Sequence, residues 1–373
     1  MKDVMGIIYT GENDALLREL TSIRAIAALP VAGRFRVIDF LVSSMVNAEV
    51  KNIGVIMQKN YHSLMDHLGS GKEWDLHGKI NGLHILPPFL TRENVGVYPG
   101  ALDALRSNMD FLSRSKQELV ILSNSMMIYN AHLEEMINYH QTTGADITLL
   151  YTKEKSLQRD EMGTYLDIDT NGEVKDMEVT PTHPSYSNTY MQVLLMKREL
   201  LKELVDKAVA HGYHSVDRDV LLRLIQEKQA RINAYEYKGM CWFIDSVQSY
   251  FRFNLDVLDN EKRKGLFRDD LPVYTKVRDE MPTYYGNNCK TINSLLADGC
   301  QIEGTVENSI LFRGVKIAPN AHVKNCIIMQ DGQVHEGAYI ENCILDKQAV
   351  IKRNQRLIGP DAYPIVIAKN VVV

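Results

Sequence analysis

The sequence of 373 residues lacks the patterns that mark several large classes of protein. Lys and Arg are spread along the chain without a long basic run, and the net charge is -5. We therefore expect no nucleic-acid partner, since binding of phosphates needs clustered cations. No stretch approaches about 18 consecutive apolar residues, and the N-terminus shows no apolar signal core. These absences predict a cytoplasmic protein with no membrane partner.

Cysteine is also scarce, and its spacing argues against a disulfide framework or a zinc site. The five cysteines all lie late in the chain, at Cys241, Cys289, Cys300, Cys326 and Cys343. No C-x-x-C pair and no H-E-x-x-H motif occurs. We expect reduced, buried thiols, as is typical of a reducing compartment.

Residues 1–258 alternate short, continuous apolar runs with longer mixed segments. Continuous apolar runs are typical of strands covered on both faces. The predicted strands are Val4–Tyr9, Ile53–Met57, Leu119–Leu122 and Ile147–Tyr151. The predicted helices are Phe40–Glu49, Ala101–Ser113, His132–Thr142, Arg198–Val209 and Arg218–Lys228. This order predicts an α/β domain of the Rossmann-like kind with a mostly parallel sheet.

The next segment, residues 259–290, has dense charge and two prolines, and we interpret it as a linker between domains. Before it, Asn171 and Gly172 predict the turn of a hairpin.

The last segment, residues 291–373, contains an internal repeat. A phrase of the form Asn-Ser/Cys-Leu/Ile-Leu/Ile recurs at Asn293, Asn308, Asn325 and Asn342. Between these phrases, aliphatic residues recur at every sixth position. The three resulting triplets are Leu311, Ile317 and Val323; Ile328, Val334 and Ile340; and Leu345, Ile351 and Leu357. Three steps of six residues per coil predict a left-handed parallel β-helix, in which each aliphatic stacks on its counterpart.

Several motifs occur together in one order along the chain. They are IRAIAALPVAGRFRVIDF at residues 23–40, QKNYHSLMDH at 58–67, GALDAL at 100–105, HSVDRD at 214–219, WFIDSV at 242–247 and NSLLADGC at 293–300. Their shared order resembles ADP-glucose pyrophosphorylase (glucose-1-phosphate adenylyltransferase), a nucleotidyltransferase domain followed by a β-helix. In such enzymes a sugar phosphate oxygen attacks the α-phosphate of the nucleotide, and two carboxylates typically hold Mg²⁺.

The resemblance implies a remnant pocket for nucleotide and sugar. Its members would be Gly11, Gln58, Gly100, Asp103, Glu161 and Gly163. Asp245 corresponds to one of the two metal carboxylates, as a remnant without its partner.

The residues that should carry out the chemistry are mostly replaced. In the phosphate loop, glycines become Glu12 and Asp14 and an arginine becomes Leu16, while two lysines become Ile26 and Thr180. Two like charges about 5 Å apart repel by roughly 3 kcal/mol at an effective dielectric of 20, which opposes phosphate binding. The other metal carboxylate should follow the strand at 119–122, yet no Asp or Glu occurs from Leu119 through Leu133.

The resemblance therefore favours a regulatory subunit with little or no catalysis of its own. It would assemble with a catalytic subunit of ADP-glucose pyrophosphorylase, in a mixed tetramer, and activate it. We expect no cofactor for this chain, and Mg²⁺ for the catalytic partner. A homo-oligomer when the chain is alone, and a weak sugar phosphate or nucleotide ligand, are further expectations.

Three other functions stay open at the level of sequence. One is an active adenylyltransferase with atypical site residues. Another is a pyrophosphorylase-like scaffold or sensor without enzymatic activity. The third is acyl transfer by the β-helix, for which His322 and His335 are the candidate histidines.

Single site residues also have structural alternatives. Gln58 could bond only to local backbone, Asp103 could be a surface charge on a helix, and Asp245 could cap the helix that begins near Ser246.

Overall fold

The fold is described by a computed structural model that covers residues 3–78, 81–88, 97–154 and 163–373. The contacts divide the chain into two units that are interleaved in sequence. The first unit contains residues 1–12, 40–241 and 269–274, and the second contains residues 13–39, 242–268 and 275–373. The domain boundaries expected after residues 258 and 290 follow chain order and stay a prediction.

The first unit is built on a nine-stranded, mixed sheet. Its strands are β1 (Val4–Tyr9), β2 (Ile53–Ile56), β3 (Leu83–Leu86), β4 (Leu119–Asn124), β5 (Ile147–Thr152), β6 (Thr164–Ile168), β7 (Val174–Val179), β8 (Asn188–Lys197) and β9 (Ile232–Glu236). Strands β3, β2, β1 and β4 are neighbours in that order and all parallel. Strand β8 runs antiparallel to β4, β5 and β6. The predicted Rossmann-like, mostly parallel core is thus confirmed, with an antiparallel addition at one side.

Helices accompany this sheet, as expected for crossovers between parallel strands. They are Val37–Asn47, His62–Leu68, Ala101–Ser107, Met109–Arg114, Leu133–Thr143, Arg198–Ala210 and Leu222–Gln226. Short 3-10 and π segments occur at Lys72–Trp74 and Val216–Leu221, and short strands at Met127–Tyr129 and Cys241–Phe243.

Two predicted helices differ from the structure. The single helix expected at Ala101–Ser113 is interrupted at Asn108, whose side-chain amide donates to the carbonyl of Ala104 at 2.8 Å. Such a bond competes with the regular helical pattern, which explains the break. The helix expected from Arg218 begins at Val216 as a π segment, with Ser215 as its N-cap. The predicted hairpin is confirmed, with Gly172 in a left-handed conformation at its turn.

The second unit contains the predicted left-handed parallel β-helix, made of three five-stranded parallel sheets. The first sheet contains Tyr284–Tyr285, Gln301–Ile302, Lys316–Ile317, Gln333–Val334 and Val350–Ile351. The second contains Lys290–Ile292, Thr305–Glu307, His322–Lys324, Tyr339–Glu341 and Arg356–Ile358. The third contains Leu295–Leu296, Ile310–Leu311, Ile327–Ile328, Cys343–Leu345 and Ile365–Ile367.

The register of these sheets explains the sixfold aliphatic pattern. Leu311 lies opposite Ile328, which lies opposite Leu345, and the other two predicted columns stack in the same way. All these side chains belong to one core along the axis of the coil.

The repeated asparagines form the corners of the coil. Asn293, Asn308, Asn325 and Asn342 all have φ between 42° and 51°, the left-handed region that asparagine tolerates better than most residues. Their side chains also form a ladder: the amide of Asn293 donates to Asn308 at 2.8 Å, and that of Asn325 to Asn342 at 3.2 Å.

Segments from outside the repeat complete the second unit. They include 3-10 turns at Ala15–Leu20 and Ile26–Ala28, strands Pro30–Val31 and Phe35–Arg36, and helices Val247–Asp256 and Asn260–Leu266. The helix Asn260–Leu266 lies inside the segment interpreted as a linker, and Asp259 caps it through the N–H groups of Glu261 and Lys262.

One of these segments is tied to the coil by a buried ion pair. The guanidinium of Arg24 lies 2.9 Å from the carboxylate of Asp346, and both side chains are only 2% exposed. A second Arg24 nitrogen lies 3.7 Å from the sulfur of Met329. Both charges are removed from water, so each depends on the other for compensation.

We predict that Asp346→Leu destabilises the second unit by about 3–5 kcal/mol, because it leaves Arg24 as a buried charge without compensation. Urea unfolding followed by fluorescence of Trp242, in a Trp74→Phe background, measures this change. The control is Glu336→Ala, which removes an exposed ion pair with Arg353 in the same unit and should cost less than about 1 kcal/mol. Equal effects of the two substitutions would contradict the assigned role of the buried pair.

Candidate functional site

The candidate site lies at one edge of the first unit's sheet. Strands β1, β2 and β4 are neighbours and parallel, so their carboxyl ends meet at the same edge. Gly11 follows β1, Gln58 follows β2, and Ser125 follows β4. This is the edge at which α/β proteins with open sheets bind their ligands.

Gly11 and Gln58 are packed together beneath the ring of Tyr9. A Cβ added to Gly11 would lie 2.4 Å from the hydroxyl oxygen of Tyr9 and 2.7 Å from the side-chain carbonyl carbon of Gln58. The amide nitrogen of Gln58 lies 2.9 Å from the carbonyl oxygen of Tyr98 and 3.2 Å from the hydroxyl of Tyr9. Burial, together with the charges of Glu12 and Asp103, raises the pKa of Tyr9, so this hydroxyl is neutral. The amide of Gln58 is therefore engaged within the protein.

Glu12 connects the loop after β1 to the end of β4. Its carboxylate accepts hydrogen bonds from the backbone N–H of Ser125 and from the Ser125 hydroxyl, the latter at 3.0 Å. A backbone N–H at the end of a parallel strand is a group that could otherwise donate to an anionic ligand. Here an internal negative charge occupies it.

A metal site at this edge would need several ligand side chains close together. Among the residues that the structure describes, no cluster of three or more His, Cys, Asp or Glu could hold an ion. The segment Ser123–Ser125 offers only hydroxyl, amide and backbone groups where a metal carboxylate would be needed. The segment at the end of β4 therefore lacks the carboxylate that the resemblance implies there, and the carboxylate next to it is that of Glu12.

Asp245 belongs to the second unit, where it is buried. It precedes Ser246, which caps the helix Val247–Asp256 in a reciprocal capping box with Ser249. The alternative in which Asp245 is the helix cap is thus wrong. The correspondence of Asp245 with a metal carboxylate stays a prediction.

Gly100 and Asp103 lie at the start of the helix Ala101–Ser107, against the segment that contains His214. A Cβ on Gly100 would lie 2.2 Å from the carbonyl oxygen of His214, so only glycine allows this approach. The carboxylate of Asp103 lies 2.8 Å from Nδ1 of His214. Asp103 is therefore not a free surface charge, and both residues hold two segments of the edge together.

Gly163 immediately precedes β6, and its carbonyl accepts the N–H of Thr180 at 2.9 Å. The hydroxyl of Thr180 in turn accepts a bond of 2.8 Å from the guanidinium of Arg218. Glu161, the other predicted residue of this segment, lies outside the described residues.

Three residues that the sequence did not single out complete the edge. Gln192 on β8 donates to Asp217 at 2.7 Å, and the hydroxyl of Thr164 lies 3.3 Å from the same carboxylate oxygen. The position of Gln192 is special because its φ is 59°, in the left-handed region. Since backbone conformation is not visible in the sequence, nothing marked this residue in advance.

The two candidate histidines of the β-helix differ in their surroundings. The ring of His322 stacks on that of Tyr339, with centroids 5.0 Å apart and planes 2° from parallel. Arg356 lies over the same tyrosine, at 5.2 Å from the ring centroid. His322 is thus one member of a column of stacked side chains on the second sheet, and its ring packs against a neighbouring coil. His335 follows the strand Gln333–Val334 on a different sheet.

Comparison with known proteins agrees with this geometry. The family model described as nucleotidyl transferase matches residues 5–260, and a model described as GlmU-like, C-terminal hexapeptide matches residues 280–363. The glycogen biosynthesis protein GlgD of Bacillus subtilis (strain 168) is 35% identical over 373 residues, which cover 99% of this chain and 96% of the relative. The chain belongs to the glucose-1-phosphate adenylyltransferase family.

Members of two kinds resemble the chain within this family. The glycogen biosynthesis protein GlgD of Geobacillus stearothermophilus is 34% identical, over 86% of this chain and 82% of the relative. The glucose-1-phosphate adenylyltransferase of the same organism is 30% identical, over 87% of this chain and 84% of the relative. The sequence-based assignment to the family is thus confirmed, together with the resemblance to GlgD. In the described part of the chain, no helix has the length and apolar character needed to cross a bilayer.

We predict that Gly100→Ala destabilises the first unit by at least about 2 kcal/mol, because the new methyl group collides with a backbone carbonyl. The matched control is Gly212→Ala, at φ 73° with open space around it, which should cost only about 1 kcal/mol of backbone strain. Urea unfolding followed by Trp74 fluorescence, in a Trp242→Phe background, compares the two. A cost for Gly100→Ala no larger than that of the control would show that the close approach is not required.

Proposed function

We propose that this chain is a regulatory subunit in glycogen biosynthesis. It assembles with a catalytic subunit of glucose-1-phosphate adenylyltransferase, in a mixed tetramer in the cytoplasm, and activates the synthesis of ADP-glucose from ATP and glucose 1-phosphate. The chain itself contributes little or no catalysis and requires no cofactor. The catalytic partner requires Mg²⁺.

The contact between Glu12 and Ser125 supports the loss of catalysis most directly. Nucleotidyl transfer develops negative charge on phosphate oxygens, which cations and N–H groups must stabilise. Here a carboxylate takes the N–H at the end of β4 and adds charge of the wrong sign. The segment Ser123–Ser125 also contributes no carboxylate for Mg²⁺, so a missing metal ligand and an occupied phosphate donor coincide in one place.

The first coil of the β-helix supports assembly with another subunit. Each of its sheets begins with one of the strands Tyr284–Tyr285, Lys290–Ile292 and Leu295–Leu296, which pair on one side only among the described residues. Tyr284 and Tyr285 are 57% and 52% exposed, and Ile292 is 41% exposed. Open strand edges with apolar side chains are ready templates for pairing with another chain.

The comparisons indicate what could pair with this end. The alignment with the adenylyltransferase of Geobacillus stearothermophilus extends over 327 residues, more than the 256 residues matched by the nucleotidyl transferase model. That relative therefore shares part of the β-helix with this chain. A coil of the same kind offers the complementary backbone edge, and this end is the contact that we propose for the catalytic subunit.

The existence of both kinds of relative in one organism also supports a paired arrangement. Geobacillus stearothermophilus has a protein named GlgD and a protein named glucose-1-phosphate adenylyltransferase. In the present chain, Glu12 and Asp14 stand where the resemblance implies phosphate-binding glycines, a replacement that a mere duplicate of the enzyme would have no reason to keep.

The proposal is tested by kinetics with purified components. The chain alone, with ATP, Mg²⁺ and glucose 1-phosphate, should show at most about 1% of the turnover of a catalytic subunit from the same cell. Addition of the chain to that subunit should raise kcat/KM several-fold, corresponding to a coupling of about 1–3 kcal/mol. An unchanged kcat/KM over a range of subunit ratios would contradict the regulatory role.

A matched variant connects this effect to the proposed contact. Ile292→Lys places a charge on the open edge and should abolish the activation, whereas Ile358→Lys, equally exposed on the last strand of the same sheet, should not. Analytical ultracentrifugation should show loss of the mixed assembly with the first variant alone. Loss with both variants would argue against the first coil as the contact.

A further inference from the structure

Gln192 is held in a conformation that favours glycine. Its φ of 59° lies in the left-handed region, and the register between β8 and β5 shifts at this point, between Tyr190 and Leu194. A side chain in this conformation is strained, and such strain persists only where neighbouring contacts impose it. The contacts of the side chain must therefore offset the strain.

These contacts form a closed triangle with Asp217 and Thr164. The Gln192 amide nitrogen lies 2.7 Å from the Asp217 carboxylate and 3.4 Å from the Thr164 hydroxyl, and that hydroxyl lies 3.3 Å from the carboxylate. Asp217 as a residue is partly exposed, but protein encloses its carboxyl group, and this burial raises its pKa. The bonds from Gln192 and Thr164 offset the effect only in part.

The strand register places this triangle beside the Glu12 contact. Val193 on β8 lies opposite Ser123 on β4, so Gln192 and Ser125 both lie within two residues of one paired position. Ser125 donates to Glu12 through both its N–H and its hydroxyl. Two internal contacts, one from the loop after β1 and one from β8, thus occupy neighbouring positions on one sheet edge.

We propose that Glu12 and Gln192, with Asp217 and Thr164, act as an internal ligand that closes this edge to nucleotide and sugar phosphate. The carboxylate of Glu12 takes the place of a phosphate at the N–H of Ser125. The amide of Gln192 takes the place of a sugar hydroxyl against Asp217 and Thr164. The edge is thereby kept in one arrangement whether or not substrates are present. This inference rests on the proposed function and deepens it, because the subunit then regulates without sensing substrates through its own edge.

A purely stabilising polar cluster would have different properties. The strain at Gln192 opposes folding, so stability alone does not account for the arrangement. An internal ligand, in contrast, predicts that removal of its side chains uncovers binding.

The test uses the full chain, with the variants Glu12→Gly and Gln192→Gly. Isothermal titration measures binding of ATP without a metal and of glucose 1-phosphate. Glu12→Gly should bind ATP at least about 10-fold more tightly than the unchanged chain, since it removes a like charge and frees the N–H of Ser125. Gln192→Gly should bind glucose 1-phosphate at least about 10-fold more tightly, since it frees Asp217 and Thr164 for a sugar hydroxyl. Glycine adopts this backbone conformation without strain, so the variant should fold.

Two matched controls separate binding from backbone effects. Glu49→Gly removes an exposed carboxylate at a residue whose φ is 63°. Lys228→Gly relieves a second left-handed backbone, whose φ is 54°. Both should bind each ligand as the unchanged chain does. Unchanged affinities in Glu12→Gly and Gln192→Gly, with thermal midpoints showing that both fold, would overturn the proposal.

A measurement on the unchanged chain keeps the proposal testable if the glycine variants do not fold. Amide hydrogen exchange of residues 123–126 and 190–194 should be the same with and without millimolar ATP or glucose 1-phosphate. Increased protection on addition of either ligand would overturn the proposal. None of these measurements involves the catalytic subunit. A negative result here therefore does not affect the activation test of the proposed function, and a negative activation test does not affect the results here.

Discussion

The hydrogen bonds between the carboxylate of Glu12 and Ser125 are the interaction on which the functional account depends. They place a fixed negative charge at the carboxyl end of β4, where the reaction of the family needs a metal and donors for phosphate. An anion that approaches this point meets repulsion and finds the backbone N–H already used. The contact is local, and the surrounding parallel strands still bring Gly11, Gln58 and Ser125 to one edge of the sheet.

The rest of the structure remains that of a fully folded member of its family. The β-helix keeps its three columns of core aliphatics and its asparagine corners, and the buried pair of Arg24 and Asp346 ties a distant segment to the coil. Gly100 still allows the close approach of His214. A role that depends on shape and contacts, as proposed above, requires these features.

Much of the fold follows from the sequence because its signals are local and periodic. The six-residue spacing predicted which aliphatics stack in the β-helix, and continuous apolar runs predicted β1, β2, β4 and β5. The break at Asn108 did not follow, because it depends on a side chain that bonds its own helix. The helix Asn260–Leu266 was missed because its charges suggested a linker, although Asp259 is a recognisable cap.

The sequence predicted the candidate site only in part. The replaced glycines pointed to Glu12, but its partner Ser125 lies 113 residues away and could be identified only in the structure. The role of Gln192 depends on its backbone angle, and that of Asp217 on the burial of its carboxyl group. The spacing of residues in the sequence encodes neither property.

The central claim is that catalysis in the mixed assembly belongs to the partner alone. It is tested most directly in a mixed assembly whose catalytic subunit has had both metal-binding carboxylates replaced, with the present chain unchanged. ADP-glucose formation is then measured with saturating ATP, Mg²⁺ and glucose 1-phosphate. The account predicts turnover no higher than that of the replaced subunit by itself. Turnover near that of the intact mixed assembly would contradict the account, because the catalysis would then reside in this chain.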